Sequence, residues 1–106
     1  MIEPLRAADV ATLLREVLDG ARPLRVSRSG RRWLEVAVGE VTVVAGDAEL
    51  TFFADSACVD HLVRVVQQGE ARGDFAGWLR ADGVNPIDLL TDQERVELER
   101  LLQEAT

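Results

Sequence analysis

The spacing of apolar residues near the start of the chain predicts a helix. Six of them, Leu5, Val10, Leu13, Leu14, Val17 and Leu18, recur at intervals of three and four. This spacing places them along one face of an α-helix. Gly20 follows where a left-handed residue ends many helices. The predicted helix spans about residues 7–19.

After Arg22 the pattern changes to the period of two that is typical of strands. Apolar and polar residues alternate in four short runs, at 24–27, 33–38, 41–45 and 49–53, separated by turns that contain glycine. These links are too short for a parallel crossover, so the runs predict an antiparallel meander. One face of such a sheet packs against a core and the other stays in water.

The residue pattern at 56–66 is compatible with two kinds of secondary structure. As a helix, the segment would place Val59, Leu62, Val63 and Val66 on a buried stripe. As a strand, its β-branched residues from Val63 to Val66 would add a fifth member to the sheet. Residue pattern alone leaves both structures open.

Helical patterns return after Gly73. Phe75, Trp78 and Leu79 fit one or two turns that stop at Gly83, and Pro86 suits the first position of a short helical turn. Thr91 and Glu94 form a capping box that begins a final helix. We therefore predict a single α+β domain over residues 1–106: an antiparallel meander of four to five strands flanked by an N-terminal helix and C-terminal helices.

The predicted core joins the apolar faces of these elements. A chain of 106 residues, 47% of them hydrophobic, is long enough to bury one such core. No internal repeat or linker divides it. The core residues that we expect are Leu13, Leu14, Val17, Leu34, Val36, Leu50, Phe52, Leu98 and Leu101.

Short segments along nearly the whole chain carry a family resemblance. They are Leu13-Leu14-Arg15-Glu16-Val17, Gly20-Ala21-Arg22, Trp33-Leu34-Glu35-Val36, Leu50-Thr51-Phe52-Phe53-Ala54-Asp55, Val59-Asp60, Phe75, Trp78, Gly83-Val84-Asn85-Pro86-Ile87-Asp88-Leu89-Leu90, Glu94 and Leu98-Glu99-Arg100-Leu101-Leu102. Through them the chain resembles a family of short bacterial hypothetical proteins classed as a domain of unknown function. The resemblance favours a strand at residues 60–66 and implies no activity.

The same resemblance shows one departure. Family members often carry an aromatic residue and extra cysteines around positions 58–65, where this chain has His61, Leu62 and Val65. Any metal or redox chemistry of those cysteines would be absent here. Cys58 is the single cysteine, which excludes an internal disulfide and a multi-cysteine zinc site.

Charge narrows the classes of partner. The formal net charge is −7 and the pI is about 4.6, which disfavours a general nucleic-acid or anionic-membrane binder. The apolar runs are far shorter than the ~20 residues that a membrane helix needs. Glu3 stands where a signal peptide carries basic residues. We therefore expect a cytoplasmic protein.

Cys58 and His61 are the only candidates for nucleophilic catalysis, with Asp55 and Asp60 nearby. Residues three apart point to opposite faces of a regular strand but meet in a helix. A lone cysteine is most often a small packing residue, and the acids have no partner cluster elsewhere. We expect no enzyme activity, no cofactor and no metal site, and keep an enzyme using Cys58 and His61 as an alternative.

A basic run stands out against the acidic background. Five of the twelve arginines, Arg22, Arg25, Arg28, Arg31 and Arg32, fall within eleven residues that contain no acid. Arg25, Arg28, Arg31 and Arg32 are candidates for contact with an anion or nucleic acid. The run also fits a solvated edge hairpin, or ion pairs with acids of the first or last helix.

Trp33 alternates with Leu34, Val36 and Val38, so the pattern places it on the opposite sheet face with Phe53 and Val44. An apolar patch on that face would be a partner site. We therefore predict a non-catalytic protein-interaction or self-associating module, with a protein partner or a homodimer formed through these three residues. An acidic inhibitor or immunity-like protein for a basic target is a further alternative.

Overall fold

The computed structural model describes residues 5–27, 31–56, 58–67 and 71–106. It confirms an α+β fold with an N-terminal helix, a five-stranded sheet and C-terminal helices. The elements are α1 (Ala7–Leu18), β1 (Leu24–Val26), β2 (Val38–Ala45), β3 (Ala48–Asp55), β4 (Cys58–Gln67), β5 (Ala71–Asp74), α2 (Phe75–Asp82) and α3 (Asp92–Glu104), with 3₁₀ turns at Trp33–Glu35 and Pro86–Leu89.

The sheet is an antiparallel meander. The strands lie in the order β1-β2-β3-β4-β5, each antiparallel to the next. The segment that fitted both helix and strand forms β4. The pairing of β3 with β4 shifts register twice, between Thr51 and Phe52 and between Phe53 and Ala54. Each shift leaves one extra residue in β4, as in a β-bulge.

The predicted strand at residues 33–38 is wrong. Trp33–Glu35 forms a 3₁₀ turn, and β2 begins only at Val38. β1 therefore does not pair with this segment: Leu24 lies opposite Ala45, at the far end of β2. The turn places the indole of Trp33 in the core, where it meets Phe52 edge-on at a centroid distance of 6.3 Å. Burial of this large ring outweighs the alternation of its neighbours.

Most of the predicted core is buried on one face of the sheet. The predicted placement of Leu34 in the core is wrong, since this residue is 67% exposed. Leu101 is only half-buried. The sheet residues of the core are Val41, Val43, Ala45, Ala48, Leu50, Phe52, Ala54, Val59, Leu62 and Val65. Side chains of α1, α2, α3 and the Pro86–Leu89 turn pack against them, including Leu14, Trp78, Ile87, Leu98 and Leu102.

Polar contacts hold α1 and α3 together. The guanidinium of Arg15 donates from Nε to Glu94, 3.0 Å away. Glu94 belongs to the predicted capping box of α3: its backbone N–H donates to the Thr91 hydroxyl at 3.1 Å, and Thr91 N–H donates to its carboxylate at 2.8 Å. One carboxylate thus caps α3 and binds α1.

Backbone groups also meet both edges of the sheet. At the β1 edge, Val26 N–H donates to the Thr106 carbonyl at 3.2 Å, and at the β5 edge Leu5 N–H donates to the Arg72 carbonyl at 2.8 Å. Each contact occupies a backbone group that would otherwise be open to another strand.

Candidate functional site

The face of the sheet opposite the core is the first candidate surface. Its side chains alternate along β2, β3 and β4 with the buried core positions, and most are exposed or half-buried. Thr51 is the buried exception at the centre of this face. Its hydroxyl lies 3.0 Å from that of Thr42 and accepts a hydrogen bond from Arg64 at 3.4 Å. We call this surface the open face.

One row of residues crosses the open face in register. Arg25, Val44, Glu49, Val66 and Arg72 are successive Cα partners from β1 to β5. Arginines stand at the two margins, and a carboxylate stands in the middle between two half-buried valines. Glu49 is exposed and forms no ion pair with any residue in the described ranges.

Glu49 also lies where two shallow depressions meet. One has a volume of about 340 Å³ and is bordered by Val44 and Val66. The other, of about 460 Å³, is bordered by Arg31, Thr42 and other residues of β2. Glu49 therefore borders both depressions of the open face, with Glu40 beside one and Asp47 beside the other.

A stack of rings lies farther along the open face. The Phe53 and His61 rings are nearly parallel, with centroids 5.2 Å apart, and Phe75 tilts against His61 at 4.5 Å. His61 Nδ1 lies 2.8 Å from a carboxylate oxygen of Asp60. These contacts hold the half-buried Phe53 in a fixed position.

The second bulge changes the geometry of Cys58 and His61. Cys58 lies opposite Asp55 and His61 opposite Phe53, and those two β3 residues share a face. Cys58 and His61 therefore share the open face as well, contrary to the expectation for a regular strand. The Cys58 thiol is exposed. Across the described ranges, no three or more His, Cys, Asp or Glu side chains are placed to hold a metal ion.

The predicted interface residues separate into two groups. Trp33 is 1% exposed, so its placement on an exposed sheet face is wrong, because the 3₁₀ turn directs its indole inward. Phe53 and Val44 do lie on the open face, and both are half-buried. Their role at an interface stays a prediction.

The described arginines of the basic run, residues 22–32, do not form one surface. Arg22 is half-buried and pairs with Glu16 of α1 and with Asp47, and it also donates to the Ala45 carbonyl at 3.1 Å. For Arg22, pairing with an acid of the first helix is thus what the structure shows.

Three of the four candidate anion-binding arginines, Arg25, Arg31 and Arg32, are exposed. They form no ion pair with any other residue that the structure describes. Arg28 lies outside the described residues. Arg25 belongs to β1, whereas Arg31 and Arg32 precede the 3₁₀ turn.

The sequence pattern gave no sign of a second basic site. A groove of about 650 Å³ lies between β4 and β5 on one side and α2 on the other. Four arginines line it, together with Asp74 and Asp82: Arg6, Arg64, Arg72 and Arg80. They come from four different segments, so no local spacing could have shown that they meet.

Two of these arginines are already neutralised. Arg6 pairs with Asp82 at 2.8 Å, and Arg64 pairs with Glu40 at 3.3 Å. The hydrogen bond from Arg6, followed by that from Ala7 N–H, holds the pKa of Asp82 below its ordinary value. Arg72 and Arg80 have no side-chain partner in the described part of the chain.

The model of one known protein family matches almost the whole chain. The family model described as Domain of unknown function (DUF7693) matches residues 4–104. The chain belongs to this family. No curated protein and no solved structure matches it.

The DUF7693 match confirms that the resemblance extends over nearly the full length of the sequence and that its family is one of unknown function. Across the described ranges, no helix of this DUF7693 domain combines the length and apolar character needed to cross a membrane.

Proposed function

We propose that this DUF7693 domain is a non-catalytic binding module that holds a protein partner on its open face. The observation that carries the proposal is the position of Glu49, exposed between Val44 and Val66 without an ion pair in the described chain. Stable protein interfaces combine an apolar centre with polar groups that meet complementary groups on the partner.

The surroundings of Glu49 define the partner chemically. Val44 and Val66 offer apolar contact on either side, and Phe53 is held in place on the same face by His61. A partner that fits presents an arginine or lysine toward Glu49 and aliphatic side chains toward the valines. The net charge of −7 also favours a basic partner through long-range attraction.

A second copy of the chain fits less well in a pair that is centred on Glu49. In a face-to-face pair with its twofold axis along the central strand β3, Glu49 would meet Glu49 and Arg25 would meet Arg72. Like charges opposed in this way disfavour association. We therefore propose a different protein as the partner, and a homodimer is the competing outcome.

The test compares two surface variants with the unaltered protein. Val44→Asp places a charge on the open face, whereas Val96→Asp is a matched control on α3, where the valine is 67% exposed. Each protein is immobilised and used to capture partners from the source cell, and its mass is measured by sedimentation at two concentrations. We expect a monomer, and a basic protein retained by the unaltered chain and by Val96→Asp but lost with Val44→Asp.

Two results would contradict the proposal. One is an identical set of retained proteins for all three forms. The other is a concentration-dependent dimer that Val44→Asp abolishes, which would assign the open face to self-association instead.

Contact with an anion through Arg25, Arg31 and Arg32 is the second candidate function. It is favoured by their exposure and by the absence of an ion pair to any of them in the described chain. Binding to an oligonucleotide should then weaken steeply with salt and be lost when Arg31 and Arg32 are both replaced by Gln. No binding at low salt would rule it out.

A further inference from the structure

The groove between β4, β5 and α2 concentrates positive charge in an acidic protein. Its lining has four arginines and two aspartates, although the whole chain has a net charge of −7. An excess of positive charge inside a concave surface attracts anions more strongly than the same charge spread over a flat one.

The positive charges that remain available belong to Arg72 and Arg80, and the Asp74 carboxylate beside them also has no ion pair among the described residues. Arg6 is bound to Asp82, and Arg64 is bound to Glu40. Arg72 on β5 and Arg80 on α2 lie on opposite walls, and neither guanidinium has a partner among the residues that the structure describes. A guanidinium without an internal partner is suited to a carboxylate or phosphate, which it binds through two parallel hydrogen bonds.

The walls of the groove are fixed by hydrogen bonds. Trp78 Nε1 donates to the Leu5 carbonyl at 2.9 Å, and Leu5 N–H donates to the Arg72 carbonyl at 2.8 Å. The Asp74 carboxylate accepts from Gly77 N–H at 2.7 Å, at the start of α2. A site whose walls are already ordered loses little conformational entropy when a ligand binds.

Size and lining point to a small molecule with an apolar body. The volume of about 650 Å³ lies within the roughly 300–1,000 Å³ of small-molecule sites. Between the charged groups, the groove is lined by Trp78, by glycines and by aliphatic residues that include Leu5, Val66 and Ala81. We propose that it binds a small organic anion, with the apolar body between β5 and α2 and the carboxylate or phosphate group on Arg72 and Arg80.

The experiment titrates the folded chain with three probes of similar size: phenyl phosphate, benzoate and neutral benzyl alcohol. Binding is followed through the backbone amide signals of Gly73 and Gly77, which line the groove. We expect saturable shifts with at least one anion and none with benzyl alcohol. The stronger of phenyl phosphate and benzoate identifies the anionic group.

Two variants locate the binding charge. Arg80→Gln removes an exposed guanidinium that has no partner in the described chain, so the fold should be retained. It should weaken binding about tenfold, as expected for loss of a charge-assisted hydrogen bond. Arg100→Gln is the control, an exposed arginine of α3 that lies outside the groove and outside the other proposed binding surfaces, and it should bind as the unaltered chain does.

The proposal is overturned if neither anion gives a saturable shift at low salt, if benzyl alcohol binds as well as the anions, or if Arg80→Gln binds as tightly as Arg100→Gln. Val44→Asp, which alters the open face, should keep its affinity for the anion. A failure of the groove and a failure of the open face are therefore separable results.

Discussion

Trp78 occupies the space where Gly73 would carry a side chain. A Cβ on Gly73 would come within 2.7 Å of Nε1 and within 2.8 Å of Cζ2 of the indole. Trp78 itself is 2% exposed and belongs to the core. The absence of a side chain at position 73 thus lets α2 lie close to β5, and both residues line the groove.

Gly73→Ala should therefore destabilise the protein. Real Cβ atoms are not found at such distances, so the indole or the strand must move, and overpacking of this kind costs about 1–3 kcal/mol. The free energy of unfolding in denaturant measures the loss. In the background of Trp78→Phe, which removes the obstructing indole atoms, the same change should cost less; equal losses in both backgrounds would contradict the steric explanation.

Trp33 and Leu34 are neighbours with opposite environments, 1% and 67% exposed. Trp33→Ala should cost about 3–5 kcal/mol of stability because it removes a large buried side chain. Leu34→Ala should change stability by no more than about 0.5 kcal/mol, as is usual for surface substitutions. Chemical denaturation of both variants tests this contrast. Similar losses of stability for the two would contradict the burial of Trp33 and the exposure of Leu34.

The same pair shows where sequence pattern fails. Alternation of apolar and polar residues predicted Leu34 inside and Trp33 outside, and the structure has the reverse. The pattern indicates that the segment is partly buried, but the buried indole of Trp33 meets Phe52, which is nineteen positions away in the chain and outside what local spacing can show. Where the elements follow local rules, as in α1, β3 and the capping box of α3, prediction and structure agree.

Thr91→Ala should weaken the start of α3. The hydroxyl that accepts the Glu94 N–H is lost, and removal of such a cap typically costs about 1 kcal/mol. Thr91→Ser keeps the hydroxyl and serves as the control, so its melting temperature should stay near that of the unaltered chain. A serine variant as unstable as the alanine variant would show that the methyl group, and not the cap, is what matters.

The ion pair between Arg6 and Asp82 should make the free energy of unfolding depend on pH in the acid range. Because the pKa of Asp82 is lower in the folded state than in the unfolded chain, the ionised carboxylate stabilises the fold at pH values above its pKa in the unfolded chain. This contribution to stability is lost as the pH falls through the pKa that Asp82 has in the folded protein. The difference in unfolding free energy between the unaltered chain and Asp82→Asn should be constant near neutrality and decrease in acid. A difference that stays constant down to the lowest pH would contradict this.

The two candidate surfaces were predictable to different degrees. Phe53 and Val44 were placed on the open face by alternation, which is a local property of a regular strand. The bulges of β4 decide that Cys58 and His61 share that face, and nothing in the spacing of residues indicates where a strand gains an extra residue. The groove depends on four arginines that only the complete topology brings together.

The pairing of α1 with α3 through Arg15 and Glu94 has a consequence for biosynthesis. The hairpins from β2 to β4 join neighbouring stretches, so they can close while the chain is still emerging from the ribosome. The apolar side of α1 is synthesised before the sheet, yet it meets α3 only after the sheet has been made. Until α3 has emerged, the nascent chain therefore leaves part of the apolar side of α1 uncovered, and we expect chaperones to engage it at this stage.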